Sequence, residues 1–212
     1  MAYFPMFVDI TGQKCLVVGG GRVALRKVQV LLDFDAKVLV VAKEISDDIK
    51  AIAAGHENAS DSLFLQEKEF EEDDIEGATL VVVATNDNSL NGGISALCRK
   101  KGIPVNVVDD KEKCSFIFPS YIKEKDLVGA FSSGGNSPVI AKYLKDKAST
   151  FLTSDIGELN DILGKWRPKI IDKIDSESSR KEVFERIVDS FIETGVLPSD
   201  DEIRSTIDLF IE

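Results

Sequence analysis

The first hundred residues alternate between short apolar runs and segments with helical periodicity. Continuous apolar runs are typical of parallel strands that are buried on both faces. We predict five strands, at 14–18, 37–41, 62–68, 79–84 and 103–108. The third alternates apolar and polar residues, which predicts a position near the sheet edge. The intervening segments predict helices at 23–32, 45–54 and 88–100. This order indicates an α/β fold with a Rossmann-type doubly wound parallel sheet.

The pattern changes after residue 110. Two apolar runs, 115–119 and 127–131, are separated by a polar stretch and predict a hairpin. Pro138 is expected to start a helix that runs to about residue 152. The rest of the chain predicts further helices, at 155–175, 179–194 and 200–211. We therefore predict three parts: a Rossmann domain over 1–112, a small central segment over 113–150 and an α-helical C-terminal domain over 151–212.

A glycine-rich turn follows the first predicted strand directly and opens the first predicted helix. Its sequence, G-x-G-x-x-A, runs from Gly19 to Ala24. Gly19 allows the tight turn, Gly21 lets a pyrophosphate approach the backbone, and Ala24 lets the helix pack close to the strand. The first amides of a helix have no partners within the helix and face an anion well. The turn therefore predicts a dinucleotide site.

Polar residues follow three of the predicted strands, at the carboxyl ends where a doubly wound fold binds its ligands. These positions are 43–44, 85–87 and 109–110. Asn86 and Asp87 are explained equally well as turn residues, and the helix that follows is expected to be capped by Asn86 or Asn88. Asp109 stands at the mouth of the predicted cleft, which favours a functional role.

The second strand lacks the terminal acidic residue that usually holds the adenosine ribose. Glu44, which follows the strand slightly later in the chain, is placed to hold the adenosine ribose, whereas Lys43 would attract a 2′-phosphate. The residues leave NAD and NADP open, and we favour NAD.

Charge is distributed unevenly along this acidic chain of net charge −11. Residues 44–76 carry a net charge of −10, whereas 1–43 and 99–147 carry +3 and +4. The overall charge argues against a nucleic-acid partner. The basic segments are explained either by ordinary solvated faces or by a cleft for an anionic ligand.

Other features of the sequence argue against a membrane protein, a secreted protein and a metal-binding protein. No apolar run approaches the roughly 20 residues of a membrane span, and the N-terminus lacks the pattern of a secretory signal. The three cysteines form no C-x-x-C pair, which favours a reducing, cytoplasmic location. The only histidine, His56, lies in a surface-like turn without neighbouring ligands, so we predict no metal site.

Several motifs, taken in order, resemble the precorrin-2 dehydrogenase family, which includes the N-terminal module of siroheme synthase. The resemblance is close over about residues 1–150 and looser over the helical tail. The motifs are Tyr3–Phe7, Gly19–Lys27, Ala84–Asp87 with Asn91, Val105–Asp109, Cys114–Phe116 with Pro119, and Ser132–Pro138.

The resemblance implies NAD-dependent oxidation of precorrin-2 to sirohydrochlorin, with ferrous iron insertion in some family members. It implies a homodimer built by the central segment. It also implies that another enzyme supplies precorrin-2, because a methyltransferase domain is absent from this sequence. Asn86 replaces an aspartate found in many relatives, and iron insertion is left open. A non-catalytic NAD- or tetrapyrrole-binding regulatory protein is the alternative.

The resemblance, the glycine turn and the charge distribution together assign site residues. The expected NAD contacts are Gly19, Gly21, Arg22, Val23, Lys43, Glu44 and Thr85. Asp109 matches the aspartate with a catalytic role. Ser133 lies in the loop that faces the tetrapyrrole and is phosphorylated in some relatives. Asn91, Lys113 and Lys142 are the other expected substrate contacts, with the lysines meeting the carboxylates of the macrocycle.

Overall fold

The computed structural model describes residues 3–55 and 59–211. Helices and strands form two compact units, one up to Phe118 and one from Pro119. The division into three parts therefore stays a prediction. His56 lies outside the described residues, and so does the surface-like turn predicted around it.

The first unit contains a five-stranded parallel sheet in the order β3-β2-β1-β4-β5. The strands are β1 (Lys14–Val18), β2 (Lys37–Ala42), β3 (Leu63–Glu67), β4 (Leu80–Val83) and β5 (Val105–Val107). This order confirms the Rossmann-type sheet, and β3 lies at the edge as the alternating pattern predicted. Chain order reverses between β1 and β4, the point at which such sheets bind ligands.

Helices cover both faces of this sheet because neighbouring residues of β1 point to opposite sides. Val17 packs with Val28 and Val40 on one face, and Leu16 packs with Val81 and Ile94 on the other. The helices are α1 (Arg22–Asp33), α2 (Asp47–Gly55), α3 (Ala59–Ser62) and α4 (Asn88–Lys101), with short 3₁₀ turns at Glu72–Ile75 and Lys111–Lys113.

The start of α4 differs from the prediction. Asp87, rather than Asn86 or Asn88, caps the helix, and its Oδ1 accepts hydrogen bonds from Ser89 N (2.9 Å) and Leu90 N (3.0 Å). A carboxylate also interacts favourably with the positive end of the helix dipole.

The second unit begins with a hairpin of β6 (Ser120–Glu124) and β7 (Leu127–Phe131). The prediction of a hairpin is confirmed, but its first strand lies five residues later than 115–119. Residues 115–118 instead form the end of the first unit: the rings of Phe116 and Phe118 lie 5.3 Å apart, and Ser115 N donates to Val105 O at 2.8 Å.

Four helices follow the hairpin. They are α5 (Pro138–Ala148), α6 (Ser154–Lys173), α7 (Glu177–Thr194) and α8 (Asp200–Asp208). Pro138 occupies the first turn of α5, as predicted, and Ser137 caps it. Buried side chains of the last three helices, including Trp166 and Ile203, form a separate apolar core. Among the described residues, no helix combines the length and apolar content that a membrane crossing requires.

Candidate active site

A cavity of about 820 Å³ opens at the carboxyl ends of β1, β2 and β4. It is lined by the glycine turn, by the residues that follow β2 and β4, and by residues 68–70 after the edge strand. All seven residues predicted to contact NAD line this cavity. Its volume lies in the range of small-molecule and cofactor sites.

The three glycines of the turn meet different constraints. A Cβ on Gly19 would lie 2.4 Å from the Ala84 carbonyl oxygen, and one on Gly20 would lie 2.1 Å from the Glu44 carbonyl oxygen. A Cβ on Gly21 would meet no atom of the described residues within 4 Å. Gly19 and Gly20 are therefore required by packing, whereas the absence of a side chain at Gly21 leaves open space in the cavity.

That open space lies at the start of α1. The first hydrogen bond of this helix runs from Leu25 N to Gly21 O (2.9 Å), so the amides of Arg22, Val23 and Ala24 precede it. Helix amides at this position bind phosphate oxygens. The turn therefore fits a dinucleotide pyrophosphate.

The residues after β2 lie beside the glycine turn and are fixed there. Ser46 N donates to Gly20 O at 2.9 Å, and Ile45 N donates to Glu67 Oε1 at 3.1 Å. Lys43 and Glu44 are exposed on this loop. Lys43 Nζ lies 2.8 Å from Glu69 Oε1, and this hydrogen bond raises the pKa of Lys43 and lowers that of Glu69.

The sequence prediction missed the cavity residues that follow β3. Lys68 ends the third predicted strand, and Glu69 and Phe70 follow it in the acidic segment 69–76, to which the sequence assigned no part of the site. Lys68 Nζ pairs with Glu71 (2.7 Å) and with the buried carboxylate of Asp74 (2.8 Å). β3 pairs in parallel with β2, so the residues that follow these two strands lie at the same end of the sheet. This parallel arrangement is the signal from which the cavity residues after β3 could have been predicted.

Thr85 is held by a residue behind the cavity wall. Asn91 is only 4% exposed, and its amide oxygen accepts from Thr85 Oγ1 while its amide nitrogen donates to Thr85 O at 3.0 Å. Asn91 thus contacts one of the predicted cofactor residues with both ends of its side chain.

Asp109 lies just beyond β5, exposed and in the left-handed region at φ 61°. Its neighbours are tied to the sheet: Val108 N donates to Val83 O at 2.9 Å, and Asp110 N donates to Val107 O at 3.3 Å. The thiol of Cys114 closes the loop by bonding to Val107 and Asp110. Asp109 is therefore presented to solvent by a fixed turn.

Lys27, on α1, is a half-buried cation. Its Nζ lies 3.9 Å from the centre of the Phe118 ring. Burial lowers the pKa of Lys27, while the negative charge of Asp109 acts in the opposite direction. The sequence identified Lys27 only as a basic residue and gave no sign of this environment.

The four predicted substrate contacts are divided between the units. Lys113, in the first unit, pairs with Asp110 at 2.7 Å and lowers the pKa of that carboxyl by hydrogen bonding. In the second unit, Ser133 Oγ accepts from Ser137 N at 2.9 Å in the loop before α5, and Lys142 is exposed on that helix.

The family comparison identifies the cavity domain. Residues 6–120 match a family model described as "Putative NAD(P)-binding". This match confirms the prediction of a nicotinamide dinucleotide site from the glycine turn.

Similar proteins extend the likeness to nearly the whole chain. Siroheme synthase of Neisseria meningitidis serogroup C is 39% identical over 186 residues, which is 88% of this chain and 38% of that protein. Siroheme synthase of Thioalkalivibrio sulfidiphilus is 35% identical over 213 residues, covering 100% of this chain and 42% of that protein. The chain thus spans about two fifths of these relatives.

Among solved structures, "SirC, precorrin-2 dehydrogenase" matches with a TM-score of 0.75 and 25% identity, covering 98% of each chain. These likenesses confirm the resemblance predicted from the motifs. The chain belongs to the family that the NAD(P)-binding model describes, and it is similar over most of its length to siroheme synthases and to a precorrin-2 dehydrogenase.

Proposed function

We propose that this protein is an NAD-dependent precorrin-2 dehydrogenase, which oxidises precorrin-2 to sirohydrochlorin in siroheme biosynthesis. The observation that carries the proposal is the glycine turn. It leaves room for a pyrophosphate at Gly21, in a chain similar over 98% of its length to a precorrin-2 dehydrogenase.

The dinucleotide is held by residues that line the cavity. The amides of Arg22 and Val23 bind the pyrophosphate, and Glu44 binds the adenosine ribose. Thr85, fixed by Asn91, borders the part of the cavity beyond the pyrophosphate. When bound, the nicotinamide accepts the hydride that leaves the macrocycle.

Asp109 accepts the proton that must also leave the substrate. Its carboxylate is exposed, and its backbone is fixed on both sides, so the group is available without a conformational change. In the first unit, Lys113 and Arg22 bind substrate carboxylates. Lys142 and Ser133, in the second unit, stay substrate contacts predicted from the sequence.

The test replaces Asp109 by asparagine, because asparagine tolerates a left-handed backbone. Asp35 offers a matched control, since it is an exposed aspartate with φ 57° in the turn between α1 and β2. This turn lies at the amino end of β2, whereas the cavity lies at the carboxyl ends of the strands. Purified protein is mixed with precorrin-2 and NAD, and absorbance of sirohydrochlorin and of reduced nicotinamide is followed. We expect Asp109→Asn to lower kcat at least roughly 100-fold and Asp35→Asn to retain it.

Full activity of Asp109→Asn would refute the role of this carboxylate. NAD binding without any product in the unsubstituted protein would instead favour the regulatory alternative.

The same carboxylate supports iron insertion as a second activity, with ferrous ion as a substrate. The observation in its favour is that Asp109 is exposed and would accept protons from pyrrole nitrogens as the metal enters. Incubation of sirohydrochlorin with ferrous or cobaltous ion tests this activity. Metallation no faster than in the absence of protein would exclude it.

The protein assembles as a homodimer through α5. Val139, Ile140 and Tyr143 are 74%, 56% and 58% exposed on this helix, although their apolar surface favours burial. They share one face, because residues three and four apart on a helix are neighbours. A second copy of the same chain is the occupant, since α5 lies in the predicted central segment.

Light scattering after size exclusion measures the assembly. Ile140→Asp should give a monomer, whereas Ile192→Asp, at a similarly exposed isoleucine of α7, should remain dimeric. Equal masses for both variants would remove α5 from the interface.

A reducing compartment, the cytoplasm, is the proposed location. All three cysteines are buried as free thiols, which supports this assignment.

A further inference from the structure

Two exposed loops meet at the cavity rim beside the end of β2. Lys43 comes from the loop after β2, and Glu69 comes from the segment after β3. Their charged atoms lie 2.8 Å apart, and both side chains are 76% exposed. Both residues line the cavity.

This part of the rim is where a Rossmann site distinguishes its nucleotides. An acidic residue near the end of β2 binds the two ribose hydroxyls of NAD, whereas NADP needs a cation for its 2′-phosphate. Glu44 supplies the acid here. The two lysines of this rim, Lys43 and Lys68, are both engaged by carboxylates: Lys43 by Glu69, and Lys68 by Glu71 and Asp74.

The loop that carries Lys43 has little freedom to move away. Ser46 N bonds to Gly20 O, and Ile45 N bonds to Glu67, which also pairs with Lys50 at 2.8 Å. Lys43 and Glu44 therefore stay beside the glycine turn, and the partner of Lys43 decides the local charge.

We infer that Glu69 is a specificity-determining residue, which selects NAD over NADP by neutralising Lys43 and repelling a 2′-phosphate. The acidic side chain discriminates against the wrong ligand rather than adding a contact to the right one. The inference rests on the proposed function only in that the cavity holds a nicotinamide dinucleotide.

Nucleotide binding to the full chain tests the inference by titration calorimetry with NAD and with NADP, without substrate. We expect the unsubstituted protein to bind NAD more tightly than NADP. Glu69→Gln should tighten NADP binding about fivefold, as expected for releasing one exposed charge pair, and should leave NAD affinity within about twofold. Glu72→Gln, at an exposed acid of the same segment, is the control and should change neither affinity.

A double-mutant cycle identifies the partner. The gain in NADP affinity should disappear when Lys43→Met is combined with Glu69→Gln, because the released cation is then missing. Unchanged NADP affinity in Glu69→Gln, a gain that persists without Lys43, or a preference of the unsubstituted protein for NADP would each overturn the inference.

Failure of the proposed activity is distinguishable from failure of this inference. NAD binding with the expected selectivity but no oxidation of precorrin-2 would refute the activity and leave the role of Glu69 standing. Oxidation of precorrin-2 with equal use of both nucleotides would support the activity and refute the role of Glu69.

Discussion

Alanine at Gly20 and alanine at Gly21 should separate the folding role of the glycine turn from its binding role. The two residues are adjacent, and each substitution adds one methyl group. At Gly20 that methyl carbon would lie 2.1 Å from Glu44 O and 2.8 Å from the Ile45 Cα, both backbone atoms. At Gly21 it would meet no atom within 4 Å in the part of the chain that the structure describes.

The expected cost at Gly20 has two parts. The loop after β2 must shift, at an overpacking cost of about 1–3 kcal/mol. The shift also weakens the bond from Ser46 N to Gly20 O, worth about 1 kcal/mol. We therefore expect Gly20→Ala to lower the free energy of unfolding by about 3 kcal/mol and Tm by roughly 6–12 °C.

At Gly21 the expected change in stability is small. Alanine is a poorer N-cap than glycine, by about 0.5–1 kcal/mol. Its lower entropy in the unfolded chain offsets this cost by about 0.4–1 kcal/mol. Gly21→Ala should therefore unfold within about 0.5 kcal/mol of the unsubstituted protein, yet bind NAD at least about tenfold more weakly, because the methyl group occupies the space for the pyrophosphate.

Urea unfolding and NAD titration on both variants give the required numbers. Equal stability of Gly20→Ala and the unsubstituted protein would show that the contact with Glu44 is not a constraint. Unchanged NAD affinity in Gly21→Ala would show that the open space does not receive the cofactor.

Three further predictions concern stability and reactivity. Asp87→Ala should cost about 1 kcal/mol in urea unfolding, because α4 loses its N-cap, whereas Asn86→Ala should be nearly neutral. Burial lowers the pKa of Lys27 below 10.5, so its protonated form is disfavoured by folding. The stability of the unsubstituted protein relative to Lys27→Met should therefore rise as pH increases toward 10.5, and a pH-independent difference would contradict this. Burial raises the pKa of Cys15 and Cys98 to about 11, so all three buried thiols should resist a thiol reagent until the chain unfolds.

The parallel sheet was predictable because its inner strands β1, β2 and β4 are continuous apolar runs. Leu16 and Val17 are both fully buried although they point to opposite faces, which is the origin of the unbroken run in the sequence. The glycine turn was predictable for a related reason, since backbone contacts at Gly19 and Gly20 exclude every side chain there.

The hairpin position could not be read from hydrophobicity. Its turn uses Lys125, with φ 57°, and Asp126 in place of the Asn-Gly or Asp-Gly pair that usually marks such turns. Charged residues of β6 therefore resembled a loop. Phe116 and Phe118, which resembled the missing strand in the sequence, are only partly buried and belong to no strand.

The electrostatic details of the candidate site also depend on tertiary contacts. Lys43 and Glu69 are 26 positions apart in the chain and meet only because β2 pairs with β3. Lys27 and Phe118 are separated by most of the first unit. Neither pair leaves a local pattern, so the sequence indicated the residue types but not their partners.

The close approach of Gly20 to Glu44 has a consequence for how such a site evolves. At Gly19 and Gly20 the turn is constrained by backbone atoms, and almost any substitution at these two positions threatens the fold. Lys43 and Glu69 are exposed side chains beside it, and exchanging them costs the fold little. A lineage can therefore change its nucleotide through one or two surface substitutions while the turn stays the same, and two descendants with identical glycine motifs can depend on different cellular redox pools.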